Sequence, residues 1–153
     1  MSSPRIEKLN RLLDEIEKKA DNKVEKTLHI SKYKRMIARL DSLSVKCEEC
    51  ESYLGDIEFK LEDLVQEQTL TGSALKYFHR IFTSPRYHLR KKHHIVDKGY
   101  YSNLYLYIGV GIGAALTPFL FMNIALGVGV GVGIGLAIGG SLDKEAKRKG
   151  LVL

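Results

Sequence analysis

The chain has 153 residues, carries 24 Lys plus Arg against 18 Asp plus Glu for a net charge of +6, and is 44% apolar. No Asp, Glu, Lys or Arg occurs in the 44 residues from Gly99 to Leu142, and ten of the 14 glycines lie between Gly109 and Gly140, which excludes a single homogeneous soluble domain. No Gly-rich phosphate loop carries the following Lys-Ser/Thr, and no Ser-His-Asp set or carboxylate pair can be assigned, so no enzyme is expected.

The first segment, residues 1–70, reads as helix in a coiled-coil pattern. Met1-Ser-Ser-Pro-Arg has no apolar core after it, so no signal peptide is expected, and Ser2 is not the Gly that N-myristoylation needs. Ser3-Pro4 supplies a cap and a first helical position. Ile6, Leu9, Leu13, Ile16 and Ala20 step by three and four, as do Ile30, Tyr33, Ile37 and Leu40. The same steps link Leu43, Cys47, Cys50, Leu54, Ile57, Leu61 and Leu64. Interruptions fall near Asp21-Asn22 and Asp41-Ser42. The pattern fits two or three helices folding on each other or a parallel oligomeric coil.

Residues 71–98 read as a basic juxtamembrane segment with a short helix. Thr69-Leu-Thr-Gly-Ser73 is a break, Ser73 caps a helix over about Ala74–Phe82, and Ser84-Pro85 ends it. The segment has a net charge of +6. Arg86, Arg90, Lys91, Lys92 and Lys98 follow the helix, and four of the five histidines lie between His79 and His94.

The uncharged run suits two membrane spans. A bilayer core of about 30 Å takes about 20 helical residues. The first span is read as about Leu104–Met122 and the second as about Ile124–Leu142, with the break near Phe121-Met122-Asn123 and Pro118 kinking or finishing the first. Tyr100, Tyr101, Tyr105 and Tyr107 form an interfacial aromatic belt. The tail, residues 143–153, is again basic, with Lys147, Arg148 and Lys149. Basic flanks on both sides place both termini in the cytoplasm. A two-span membrane hairpin behind a cytoplasmic coiled coil is therefore the expected all-α fold. The same eight flanking cations, Arg86 to Lys98 and Lys147 to Lys149, are the expected contacts to anionic headgroups, a simpler partner for this charge than nucleic acid.

The period-two run Gly127 to Gly135 would suit a strand, but an unpaired strand leaves its backbone unsatisfied in lipid, so helix is expected. On a helix Gly127, Gly131, Gly135 and Gly139 form one face, Gly129 and Gly133 the opposite one, and Gly109 and Gly113 a matching face on the first span. Small residues every four positions let another backbone approach closely. Two faces imply two neighbours, the first span and a second copy, hence a homo-oligomer.

Residues 124–150, a Gly-apolar repeat followed by Leu142-Asp143 and a Lys-rich tail, resemble the C-terminus of small bacterial glycine-zipper membrane proteins. The resemblance implies a bacterial membrane setting and helix packing, and no activity. The leading reading is a non-enzymatic inner-membrane protein whose coiled coil docks a cytoplasmic partner or a second copy. The alternatives are a membrane-permeabilising, holin-like or toxin-like oligomer, and a metal or thiol sensor.

That last alternative rests on Cys47-Glu-Glu-Cys50. The pair reads as buried core thiols, as half of a zinc site, or as a redox dithiol. A zinc site would be completed by a second chain, resembling the paired Cys-x-x-Cys of zinc hooks, or by His79, His88, His93 or His94. Glu48, Glu49 and Glu51 should raise the thiol pKa values, which disfavours the redox role.

Overall fold

The computed structural model describes residues 3–20, 28–67, 72–120 and 123–153, with side chains for all of these but 118–120. The described residues are helical apart from short connections and one isolated β-bridge, so the fold is all-α. The chain divides into two units, Met1–His93 and His94–Leu153. The anticipated breaks at Asp21-Asn22, at residues 69–71 and at Phe121-Met122 lie outside the described residues.

In the first unit α1 (Pro4–Lys19) opens with Pro4 in its first turn, and the Ser3 hydroxyl accepts a hydrogen bond from the Ile6 amide. Its buried positions are Ile6, Leu9, Leu13 and Ile16. The helix α2 (Ile30–Ser44) buries Ile30, Met36, Ile37 and Leu40, and α3 (Glu48–Gln66) buries Cys50, Leu54, Ile57, Leu61 and Leu64. These stripes face one another, because α1, α2 and α3 pack mutually. A stripe of one apolar residue per turn buried on a neighbouring helix is what drives such packing, at about 1.5–3 kcal/mol per large aliphatic side chain. Partly exposed ion pairs line the α1–α3 edge: Arg5 to Glu51 and Glu58, Lys8 to Glu58 at 2.7 Å and to Glu62 at 2.5 Å. Such surface pairs are screened by solvent and add little to stability.

Two expectations are corrected here. The interruption foreseen at Asp41-Ser42 falls instead at residues 45–47, since α2 continues to Ser44. Ser42 and Ser44 donate their hydroxyls to the carbonyls of Arg39 and Asp41 one turn back, so the polar residues stay within the helix. Cys47 consequently lies at the N-cap of α3 rather than inside a continuous heptad.

The second correction concerns residues 71–98. The helix α4 (Gly72–Ile81) is followed at once by another, α5 (Thr83–His93). Pro85 sits in the first turn of α5, where a missing amide hydrogen is tolerated, so Ser84-Pro85 starts a helix instead of ending one. Phe78 of α4 meets the Tyr33 ring of α2 edge-on at 5.0 Å, and Phe82 lies 4.3 Å from the same ring. Pro85, His88 and Leu89 are buried on α5, while Arg86, Tyr87, Arg90, Lys91 and Lys92 are exposed. The basic stretch is therefore one face of a packed helix.

The second unit is a helical hairpin. Helices α6 (Tyr100–Leu120) and α7 (Ile124–Arg148) run antiparallel along their lengths. Asn123 caps α7 by accepting from the Ala125 amide. The helix α6 continues through Pro118 to Leu120. At the open end, Asp143 of α7 accepts hydrogen bonds from the Tyr101 and Ser102 amides at 3.0 and 2.9 Å and from the Ser102 hydroxyl at 2.5 Å. A carboxylate from one helix thus caps the other, where the amides of a first turn lack intrahelical partners. Replacing Asp143 with Ala should cost about 0.5–2 kcal/mol, the range for lost caps. The check is faster hydrogen exchange at the Tyr101 and Ser102 amides, with the middle of α6 unchanged.

The tail also departs from expectation. Residues 143–148 are still α7, and the chain then returns to the start of the unit. Val96 donates to the Leu151 carbonyl and accepts from the Leu153 amide, both at 2.9 Å, in a parallel bridge to Val152. Ile95, Val96, Ala146 and Leu153 are buried there.

Candidate metal centre and helix-packing groove

The link between α2 and α3 creates the first half of the cluster. Cys47, in extended conformation, caps α3, and Cys50 lies in the first turn three residues on, so both sulfurs can share one side. Both are free thiols and both are buried. The second half comes from α5, with His88 buried in its middle and His93 as its last residue. The next residue, His94, takes a positive φ of 55°, which ends the helix.

The four side chains converge. His88 Nε2 lies 3.4 Å from both Cys47 Sγ and Cys50 Sγ, and His93 Nε2 lies 3.4 Å from Cys50 Sγ. All four ligand atoms fall within 4.8 Å of one another, and the group could hold a metal ion. The other ring nitrogen of His88, Nδ1, is 2.7 Å from Glu49 Oε2, and Lys92 Nζ is 3.5 Å from the same oxygen. Tyr53 packs on the His88 ring with centroids 5.3 Å apart.

The electrostatics split the two thiols. Burial raises both. At Cys47 it is outweighed by the Cys50 amide and thiol, the Lys92 charge and the Glu49 amide, and the thiol falls below its ordinary value. At Cys50, burial, then the hydrogen bond and charge of Cys47, push the thiol up to about 12. Burial holds the His88 imidazolium below its ordinary pKa against the opposing pull of Glu49. The site thus accommodates one thiolate readily and a second only when a cation shares the charge.

Of the four histidines named from the sequence, the fold brings two to the cysteines. His79 instead has its Nδ1 2.8 Å from the Tyr33 hydroxyl, and His94 belongs to the second unit. The sequence offers Glu49 only as a charge beside the thiols; its contact with His88 is not written in the local sequence. The signal that could have been used is Cys-x2-Cys followed by His-x4-His. The 37 residues between Cys50 and His88 conceal it.

The glycines named for packing line the interior of the hairpin. Gly109 faces Gly131, Gly113 faces Gly127, Gly135 faces the Tyr105 carbonyl, and Gly139 faces Tyr101 and Ser102. A Cβ on Gly131 would lie 2.9 Å from the Gly109 carbonyl carbon and closer still to its oxygen. Gly111, Gly129 and Gly133 point away, with nothing within 4 Å of a built Cβ. The cations Arg86, Arg90, Lys91, Lys92, Lys98, Lys147, Arg148 and Lys149 are all exposed. Lys149 pairs with Glu145 at 2.6 Å, and Arg90 and Lys91 lie over the Tyr87 ring.

Among the described residues one helix, α7, is long and apolar enough to cross a membrane, with a mean hydropathy of 1.9 over its most apolar 18 residues, of which 22% are buried. No known protein family, curated protein or solved structure matches this chain.

Proposed function

We propose that the chain is a non-enzymatic bacterial inner-membrane protein, anchored by a two-span hairpin with both termini cytoplasmic. Its helical bundle, residues 1–93, is the coiled-coil-like module that docks a cytoplasmic partner or a second copy. The observation that carries this reading is the outer face of the hairpin. Tyr107, Ile108, Ile112, Leu116, Ile124, Leu126, Val130, Ile134, Leu136 and Ile138 are all exposed around a pair of helices without one charged residue from Gly99 to Leu142. Water does not tolerate a contiguous apolar surface of that extent, and acyl chains do. At about 1.5 Å per residue, the 21 residues of α6 measure about 31 Å, close to a bilayer core, and the uncharged part of α7, residues 124–142, about 28 Å.

The cations that flank the run support the orientation, since Lys and Arg accumulate on the cytoplasmic side and meet its anionic headgroups. Gly129 and Gly133 leave a smooth outer strip on α7 against which a second copy packs. The spans carry no charged lining, which weighs against a selective ion path.

Alkaline carbonate extraction tests the anchor. The chain should remain in the membrane pellet, and its release into the supernatant would sink the reading. In inverted inner-membrane vesicles, a protease added outside should remove residues 1–93 while leaving a fragment of about the hairpin's length. Protection of the bundle in such vesicles would reverse the topology.

A further inference from the structure

We propose that Cys47, Cys50, His88 and His93 form a closed, structural Zn²⁺ site that fastens α5 to α3. The donor set is the first reason. Two thiolates and two imidazoles arranged tetrahedrally select zinc among the common divalent ions, and four protein ligands leave no open position for a substrate. Geometry is the second. With Zn–S near 2.3 Å and Zn–N near 2.0–2.1 Å, the S–N edge of a tetrahedron is about 3.6 Å. The three sulfur–nitrogen separations of 3.4 Å are close to that edge, so a cation enters with shifts of a few tenths of an ångström.

The surroundings of the ligands are the third reason. A metal-bound imidazole normally donates its other N–H to a carboxylate or carbonyl, which fixes the tautomer. His88 does this: its Nδ1 faces Glu49 at 2.7 Å and leaves Nε2 pointing at both sulfurs. Glu49 is a positioning residue, sitting between the two cysteines in sequence and holding the histidine that joins them. Lys92 flanks the same carboxylate.

The fold explains why a metal is needed here. The helix α5 carries a short apolar stripe, Pro85 and Leu89, beside His88, and four of its other eight residues are Arg or Lys. Its described side-chain links to α3 run through Tyr53, Glu49 and the two cysteines. A bound ion therefore adds a tie between α5 and α3 beside the buried Leu89. The role is independent of the membrane reading, since all ligands lie within Met1–His93.

The test uses the full chain purified in mild detergent without chelator. About one zinc per chain is expected by elemental analysis. One equivalent of Co²⁺ added to the stripped protein should give tetrahedral d–d bands with thiolate charge transfer. Less than about a tenth of an equivalent of zinc, together with no cobalt bands, would overturn the proposal. Cys50→Ser should lose the metal, whereas His79→Ala and His94→Ala should keep it; full retention in Cys50→Ser, or loss in both controls, would overturn the assignment. Should Cys50→Ser fail to fold, the cobalt spectrum of the unaltered chain decides alone. Glu49→Gln should weaken zinc about 10–100-fold while leaving the cobalt bands in place, as expected for an orienting carboxylate. Unchanged affinity there would remove Glu49 from the site. Stripping the metal should speed tryptic cleavage at Arg86–Lys92 with the α1–α3 core resistant, and equal cleavage rates would refute the fastening role.

Discussion

Replacing Gly131 with Ala should destabilise the hairpin, while the same change two residues earlier, at Gly129, should not. The Gly131 methyl would be driven into the Gly109 carbonyl and to 3.1 Å from the Gly113 Cα. Those are backbone atoms, which have no rotamer to escape into, so the helices themselves must separate. Overpacking of this kind costs about 1–3 kcal/mol and more when nothing can yield. At Gly129 the added methyl meets nothing within 4 Å, and Ala is the better helix former in water by about 1 kcal/mol. The two variants have the same composition and the same hydropathy, so their difference isolates the groove. Thermal unfolding in a detergent that keeps copies apart should give a lower midpoint for Gly131→Ala than for the unaltered chain, and an equal or higher one for Gly129→Ala, whose methyl would meet only a second copy. Coincident midpoints for the two variants would mean that α6 and α7 do not rely on this contact.

Phe78→Ala should produce the other large effect, and it should reach the metal ligands without touching them. Phe78 is fully buried and sits edge-on to Tyr33 while also packing on Phe82. Removing a buried Phe costs about 3–5 kcal/mol. In a bundle of this size about 1 kcal/mol corresponds to a 4–8 °C change in midpoint, so a drop of roughly 12 °C or more is expected. The helix α4 supplies no ligand, yet α5 follows it after a single residue and packs on it. A loosened α4 therefore releases His88 and His93 from a fixed distance to Cys47 and Cys50. Zinc affinity, read by competition with a chromogenic chelator, should fall together with the midpoint. Substituting exposed Phe59 in the same way should change neither, since that ring lies 72% exposed on α3.

The charge distribution sets apart the uncharged run from Gly99 to Leu142, but not the bounds of the second unit, which starts at His94 and takes in the charged residues Asp97, Lys98 and Asp143 to Lys149. The inner glycines are legible because a four-residue step keeps one side of a helix without Cβ atoms whatever the partner is. The length of α2 is less legible. Asp41, Ser42 and Ser44 have the composition of a turn, and only their bonds to carbonyls one turn back reveal that they extend a helix. Ser84-Pro85 is ambiguous in the same way, as proline both stops and starts helices and the neighbouring sequence does not choose between them.

The cluster is legible in halves. Cys47 and Cys50 declare themselves through their spacing, but His88 and His93 are five residues apart, about 140° around a helix, and do not share a face by periodicity. Both meet the Cys50 sulfur because one projects from the middle of α5 and the other from its last residue. That convergence is set by how α4 turns the chain back, which no local pattern encodes. The return of Leu151–Leu153 to Val96 is hidden similarly, since a single bridge has no alternation to announce it.

The glycine repeat has one further property, which follows from its symmetry. A groove that recurs every four residues coincides with itself after a displacement of four residues, about 6 Å along the axis. Sliding α6 against α7 by that amount would bring glycine to glycine again, and the groove alone would accept either alignment. What distinguishes the two is chemistry that does not recur. Asp143 finds the Tyr101 and Ser102 amides in one phase only, and Val152 meets Val96 in one phase only. The open end of the hairpin therefore acts as an index pin, selecting one tooth of a rack whose teeth are otherwise alike.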